Sequence, residues 1–447
     1  MTSTIKVNTV TTESGSTLTL GESGKTVTLA SGASQTGFGR TGTVDWQTSI
    51  KTGDFTAANG EGYFVNTSGG SNITVNLPAG SAGAIVSIKD YAQTFDSNKC
   101  TVSANGSEKI EGQTFDLILD QEGQGVTLVY GDATKGWQAV NSNEIANTQK
   151  FVTATGGNAV LTCSDFKIHV FTGPGTFCVS CAGNPSGSTT VDYMVVAGGG
   201  GGGGYSSAGG GGAGGFRESC GGASGCYTAS PLKKPCGAIP VTAQGYPIAV
   251  GGGGPGGPGS APGLGTNGSN SSFSTITSAG GGGGGAWPSP QCGSPGGSGG
   301  GAGNTNTEGT GNQPPVSPPQ GNPGQGGNNG CGGGGGGGAT AAGSTGSAPN
   351  NGGPGGAGAT TAITTSSSYG EATPTPGRAY AGGGGGRGGG PATRATGGLG
   401  GGGDGALCSA GKTIGTANTG GGGGGSGSSS SGANGGSGIV IIRYKFQ

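Results

Sequence analysis

The chain has 447 residues, of which 9% are charged and 29% hydrophobic, with a formal net charge of −1. That balance lacks the basic footprint of a nucleic-acid-binding protein. No apolar run reaches the roughly 18 residues that a membrane-spanning helix requires, and the first residues carry no apolar core of a signal peptide. Gly, Ser, Thr, Asn and Val dominate and no long helical period of apolar residues occurs, so an elongated, all-β protein is expected.

Residues 1–43 carry two similar units, Ser16-Thr17-Leu18-Thr19-Leu20 and Lys25-Thr26-Val27-Thr28-Leu29, each an alternating strand that runs on to a Ser-Gly. One such strand has too small an apolar face to fold alone. Identical copies around a threefold axis would share a core, so this is read as an N-terminal stalk or attachment segment of a homotrimer. Residues 44–142 read as a β-sandwich-like or prism domain. Its candidate strands are 63–65, 73–77, 85–88, 115–119, 126–130 and 137–140, separated by turn signals such as Ser68-Gly69-Gly70 and Asn105-Gly106. Trp46 and Trp137 are placed in its core. Residues 143–150 read as a connector.

Residues 151–447 form the glycine-rich distal domain: only 26 of the 118 glycines lie in residues 1–195. A strand framework, 151–197 and 438–446, brackets the glycine-rich loops. The strand 166–171 alternates Phe166, Ile168 and Val170 against Lys167 and His169, which puts His169 on the exposed face. The closing strand sets Val440, Ile442, Tyr444 and Phe446 on one face and Ile439 and Ile441 on the other. So apolar a strand needs a partner, and 191–197 is the candidate. Between the brackets, glycine at this density has two physical outcomes. Glycine loses the most backbone entropy on ordering, which favours disorder. Alternatively, polyglycine-II helices with three residues per turn and no internal hydrogen bonds pack side by side. Collagen is excluded, because runs such as 332–338 break any Gly-X-Y period. Order is favoured by apolar punctuation at Ile248-Ala249-Val250, Phe273-Ser274-Thr275-Ile276, Ile363 and Ile414, each read as a short strand or anchor before a glycine run.

No catalytic constellation emerges. His169 is the single histidine, and no carboxylate pair stands out. Gly24-Lys25-Thr26 and Gly411-Lys412-Thr413 echo a phosphate loop but lack its first glycine. Of the ten cysteines, Cys178 and Cys181 have CxxC spacing, with no second pair to complete a zinc site. Cys220, Cys226 and Cys236 lie close enough in sequence for a local disulfide, whose pairing stays open. The chain is therefore read as a non-enzyme with no cofactor and no metal. Surface recognition is left to the sparse large or charged residues of the loops. The candidates for receptor contact are Tyr205, Phe216, Arg217, Tyr227, Trp287, Arg378, Tyr380 and Arg387, with Lys233, Lys234 and Arg394 nearby in type. Aromatic and guanidinium groups on glycine loops suit sugar faces, phosphates or carboxylates. Each of these residues could equally cap the end of a glycine helix.

The passage 191–204, the tetrad Gly214-Gly215-Phe216-Arg217, the run 272–278 and the closing 436–444 together resemble the glycine-rich domain of tail-fibre proteins from phages of marine bacteria. The proline-rich 312–322 is similar to a stretch recurring in that group, and 14–40 with Gly60-Glu61-Gly62-Tyr63-Phe64-Val65 resembles phage structural proteins. The resemblance covers most of the chain, and its brackets are more specific than its glycine runs. It implies a trimeric fibre in the virion tail, extracellular after host lysis and joined to tail or adaptor proteins by its N-terminus. Its distal loops would serve host adsorption by meeting a cell-surface receptor, a polysaccharide or an outer-membrane protein. The chain is also similar in kind to the glycine-rich adhesins of T-even-like phages, in which polyglycine-II helices form a sandwich. The many cysteines depart from that pattern, and recognition residues differ between members, so none transfers. A capsid head fibre or decoration protein is the alternative. An ice-binding polyglycine-II protein is a more remote one, and the flat Thr/Ala face it needs is not seen.

Overall fold

The computed structural model describes residues 44–141 and 150–447, apart from 186, 224, 226, 236, 289–291, 305–306, 329–331, 348–349, 365 and 390–393. The stalk segment 1–43 and all of the connector except Lys150 lie outside the described residues. Among the described residues there is no helix; the fold is all β.

The first domain is two packed sheets built by an alternating path. Strands Asp45–Trp46, Glu61–Val65 and Ile85–Asp90 stack in parallel in one sheet. Strands Phe55–Thr56, Ile73–Asn76 and Cys100–Ser103 stack in parallel in the other. The chain crosses between the sheets at each step and then closes both with antiparallel strands Leu117–Leu119, Gly125–Asp132 and Gly136–Ala139. Period-two alternation sets the core: Ile73 and Val75 point inward while Thr74 and Asn76 do not. Inward residues Val65, Val86, Val102, Leu119 and Leu128 surround the fully buried Trp137. Trp46, which the sequence places in the core, is 41% exposed. It sits on a two-residue edge strand, and its ring packs on Phe64 at 4.8 Å on the outer face. Phe115, read as the start of a strand, lies outside Leu117–Leu119. Strand Cys100–Ser103 carries only two inward residues, too weak a pattern to stand out in sequence.

The glycine-rich region rests on a sheet ordered Ala159–Cys163, Phe166–Phe171, Ile439–Lys445, Thr190–Val196 and Phe216–Glu218, with Ile239–Pro240 also pairing Thr190–Val196. The C-terminal strand is central, with Ile442 opposite His169 on one side and Tyr193 on the other. Its two faces enter two cores. Val440, Ile442 and Tyr444, with Phe446 against them, pack on Phe177, Tyr193, Ile248 and Phe273. These come in part from a second, five-stranded sheet: Val152–Thr155, Gly175–Ala182, Gly245–Ala249, Ser271–Phe273 and Ile276–Ser278. Ile439 and Ile441 pack with Met194, Val196, Phe216, Ile363 and Tyr380 on the opposite side.

Because both faces are covered, His169 is 1% exposed rather than at the surface. Its Nδ1 lies 2.7 Å from the Gly156 carbonyl, which only accepts, so Nδ1 carries the proton and Nε2 accepts from Tyr444 OH at 3.0 Å. Burial holds its pKa below the usual value, in keeping with the neutral ring. Two of the apolar anchors also differ from expectation. Phe273-Ser274-Thr275-Ile276 is not one strand but a hairpin, turning at Ser274 with φ of 53°. Ile414 is 66% exposed and anchors nothing.

Candidate functional site

The glycine runs leave this sheet and pack against each other with a fixed rule. In the run 198–204, Gly198, Gly201 and Gly204 donate to Ser269, Thr266 and Gly263. Gly199 and Gly202 donate to Gly436 and Ala433, and Gly200 and Gly203 to Gly212 and Gly209. The carbonyls follow the same repeat: those of Gly198 and Gly201 accept from Gly281 and Gly284, those of Gly199 and Gly202 from Gly254 and Gly257, and those of Gly200 and Gly203 from Gly423 and Ser426. One run is thus bonded to six others, and each partner recurs every third residue. That is the bonding a three-residue turn without internal hydrogen bonds requires.

The neighbouring run 208–215 repeats the rule with partners in 420–426, 279–285, 334–337, 384–387, 298–301 and 197–203. At the glycine positions facing a neighbouring backbone this spacing excludes a side chain. A Cβ on Gly211 would lie 2.6 Å from the Gly200 carbonyl carbon and nearer still to its oxygen. The outer run 251–258 shows the boundary of the rule. Its burial repeats every three residues, and Pro255 and Pro258 fall on the exposed position, where no N–H is required.

The register also fixes the two ends of the lattice. The base is the sheet, which run 198–204 leaves at Val196 and to which 208–215 returns at Phe216. The far end carries the chain reversals at 205–207, 259–262, 286–288, 407–411 and 427–430, among others. They are tied directly: Tyr205 N donates to Ser430 O at 2.9 Å, Ser429 N to Tyr205 O at 2.8 Å, and Trp287 N to Ser206 O at 3.0 Å. The seven glycines 198–204 stand between the first of these turns and the sheet.

Measured against these two ends, the sequence candidates separate. Tyr205 and Trp287 are at the tip, half-buried and 45% exposed respectively. Arg387 is also at the tip but buried, its Nε donating to Cys408 O at 3.1 Å. The other five are at the base. Phe216 and Tyr380 are buried in the apolar cluster beside Ile441, so their rings face the core and not solvent. Arg217 is half-buried on the edge strand, opposite Val195. The Tyr227 ring lies 5.1 Å from the Arg443 guanidinium, and burial pushes its hydroxyl well above the usual range. Arg378 ties down its own loop by donating to the carbonyls of Ser367, Tyr369 and Gly370.

The tip also holds Lys412, which the sequence did not single out as a contact, and Arg394, which it grouped with the candidates in type. Lys412 Nζ donates to Ser430 Oγ at 3.1 Å, and Arg394 pairs with Asp404 at 3.2 Å. Distance along a run is the signal that finds Tyr205, which follows the seven glycines 198–204 beyond strand Thr190–Val196; Lys412 and Arg394 carry no such signal.

The base carries a buried polar cluster. Asp192 accepts from Ser219 Oγ at 2.6 Å and from the amides of Gly221 and Ala223. Glu218 accepts from Ser230 N at 2.8 Å and from Thr361 Oγ1, and its burial raises its pKa from 4.5 to about 7. The cluster ties the strand Phe216–Glu218 to the surrounding loops. Of the cysteines, Cys178 is exposed on strand Gly175–Ala182 and Cys181 half-buried; Cys226 and Cys236 lie outside the described residues.

A two-layered β base carrying a laterally hydrogen-bonded lattice of glycine runs, with a set of turns gathered at the far end, defines the class: a β-framed, glycine-lattice protein. The chain belongs to the glycine-rich domain family, whose profile matches residues 172–445 and so includes both bracketing strands. No curated protein matches the sequence.

Proposed function

We propose that this chain is a receptor-binding tail-fibre protein of a phage, whose glycine runs are polyglycine-II helices and whose lattice tip meets the host cell surface. The observation that carries the reading is the one-ended architecture. The distal domain begins at strand Val152–Thr155 and ends at Ile439–Lys445, both at the base. Both ends of the glycine-rich domain therefore leave from the base sheets, and the tip turns lie at the opposite end of the runs. Residues 1–43 attach the fibre to tail or adaptor proteins, and three copies act together, which multiplies a weak single contact. No catalysis is involved.

Deleting 198–436 is a poor test, because it also strips the covering strands Gly245–Ala249 and Ser271–Phe273. The better perturbation replaces 205–207 and 428–430 with glycine and asparagine. Purified wild-type chain should compete with phage for adsorption to host cells, and the tip variant should not, at an unchanged unfolding midpoint. Equal competition by both would refute the proposal.

A further inference from the structure

We infer that the tip patch formed by Trp287, Tyr205, the serines 428–430 and Lys412 is a glycan-contacting surface. This rests on the adsorption reading above and names the receptor class for it.

Two independent observations carry the inference. The first is backbone conformation. Tyr205, Ser207, Ser428 and Ser429 hold φ of 68°, 39°, 52° and 57°. An L-residue there costs about 1 kcal/mol relative to glycine. This chain places glycine immediately beside them, at Gly204 and Gly427, so glycine is the local default. Exposed Ser164 and Ser274 at the base hold the same conformation, so it does not by itself mark the tip; what is particular to the tip is that four such residues gather in two hydrogen-bonded turns. Ser428 and Ser429 are both exposed. Their side chains are retained at a conformational cost without contributing to packing.

The second observation is composition. Trp287 is 45% exposed; Trp46, at 41%, packs on Phe64, and Trp137 is buried. Hydrogen bonds join the patch into one surface, from Lys412 through Ser430 and Tyr205 to Ser206 and Trp287. It offers one exposed indole, one phenol, several hydroxyls and a single ammonium, with no carboxylate in the three turns 205–207, 286–288 and 428–430. An aromatic face stacks on the C–H face of a pyranose, and rigid hydroxyls exchange hydrogen bonds with its ring hydroxyls. A protein partner selects a different surface: a desolvated cluster of aromatic and aliphatic anchors, depleted in serine. The patch has the wrong balance for that and the right one for a sugar.

The test uses the full-length chain on an immobilised panel of neutral hexose, N-acetylhexosamine and uronic-acid oligosaccharides. It is paired with host cells treated either with periodate, which cleaves vicinal diols, or with protease. The expected result is saturable binding to at least one oligosaccharide, reduced at least tenfold by Trp287→Ala. Cell binding should be lost after periodate and kept after protease. Ser429→Gly guards against a folding artefact. It relieves the positive φ, so it should raise stability while weakening glycan binding several-fold, a split that no structural role produces. Cell binding that survives periodate and is lost to protease overturns the glycan inference and leaves the adsorption reading standing. Glycan binding without any cell binding does the reverse. Glycan binding unaffected by both Trp287→Ala and Ser429→Gly overturns the assignment of the patch.

Discussion

Two glycine-to-alanine substitutions should change stability in opposite directions. Gly211 lies inside the lattice, donating to Gly423 O and accepting from Gly384 N, both at 2.8 Å. Its added Cβ would stand 2.6 Å from Gly200 C and 2.9 Å from Gly201 C. Ordinary carbon contacts lie at about 3.5–4.0 Å, so run 198–204 must move away by roughly 1 Å. Overpacking in ordinary cores costs about 1–3 kcal/mol because neighbouring side chains yield. Here the neighbours are backbone bonded to other backbone, with no rotamer to give. The displacement strains the Gly200 N to Gly212 O bond and its lattice equivalents, so the cost should reach about 3 kcal/mol or more. Gly252, on the exposed position of the outer run, has nothing within 4 Å of its added Cβ. Alanine there restricts the unfolded chain and should stabilise by about 0.4–1 kcal/mol. Urea unfolding of both variants, read by midpoint at constant slope, decides the matter. Shifts of the same sign and similar size would refute the lattice argument.

Glu218 gives a pH dependence. Its folded-state pKa is raised from 4.5 to about 7, so the native state holds the proton more tightly than the unfolded chain. That contribution is complete below about pH 4.5 and is lost as pH rises through about 7, amounting to roughly 3 kcal/mol. Glu218→Gln, which mimics the protonated acid, should therefore gain on the wild type progressively as pH rises from about 5 to about 8 in thermal unfolding. A constant difference across that range would contradict it. Tyr444→Phe removes the donor to His169 Nε2 and leaves a buried acceptor unpaired. A loss of about 1–3 kcal/mol is expected in urea unfolding, and a change under about 0.3 kcal/mol would show that the bond is not formed.

The framework was legible where alternation decides the answer. The split of Val440, Ile442 and Tyr444 from Ile439 and Ile441, and their pairing with Thr190–Val196, follow from the pleat and from the need to satisfy an apolar strand. The same alternation misplaced His169. It says which side a residue faces, not whether that side is covered, and here a second sheet covers it. The lattice register was not legible, because a glycine run carries no side chain to tell one neighbour from another. The candidate contacts divided for a related reason. An aromatic next to a glycine run belongs to either end, and only position along the run separates them. Tyr205 follows one run out from Val196, whereas Phe216 follows a run out and a run back.

The period of three makes insertions the sharpest probe of this architecture. In the run 420–426, Gly422 and Gly425 donate to Gly382 and Gly385, while Gly423 and Ser426 donate to Gly200 and Gly203. One glycine added after Gly423 turns every later amide by a third of a turn about the run axis. Gly425 and Ser426 then point at the wrong runs, and because each lattice run is also a neighbour of several others, the mismatch cannot stay local. Loss of the cooperative urea transition is the expected outcome. The same glycine inserted between Ser428 and Ser429 lies past the last of these bonds, in an exposed turn, and lengthens a loop at an entropic cost of only a few tenths of a kcal/mol. Its unfolding midpoint should stay near the wild type. A lattice that rejects one added residue in the run and accepts it five positions later is rigid in its body and permissive at its tip. Those are the properties that let one scaffold carry changing contact residues without refolding. If both insertions are tolerated, the runs are not held in register, and the turns at the far end form no fixed surface for a receptor to read.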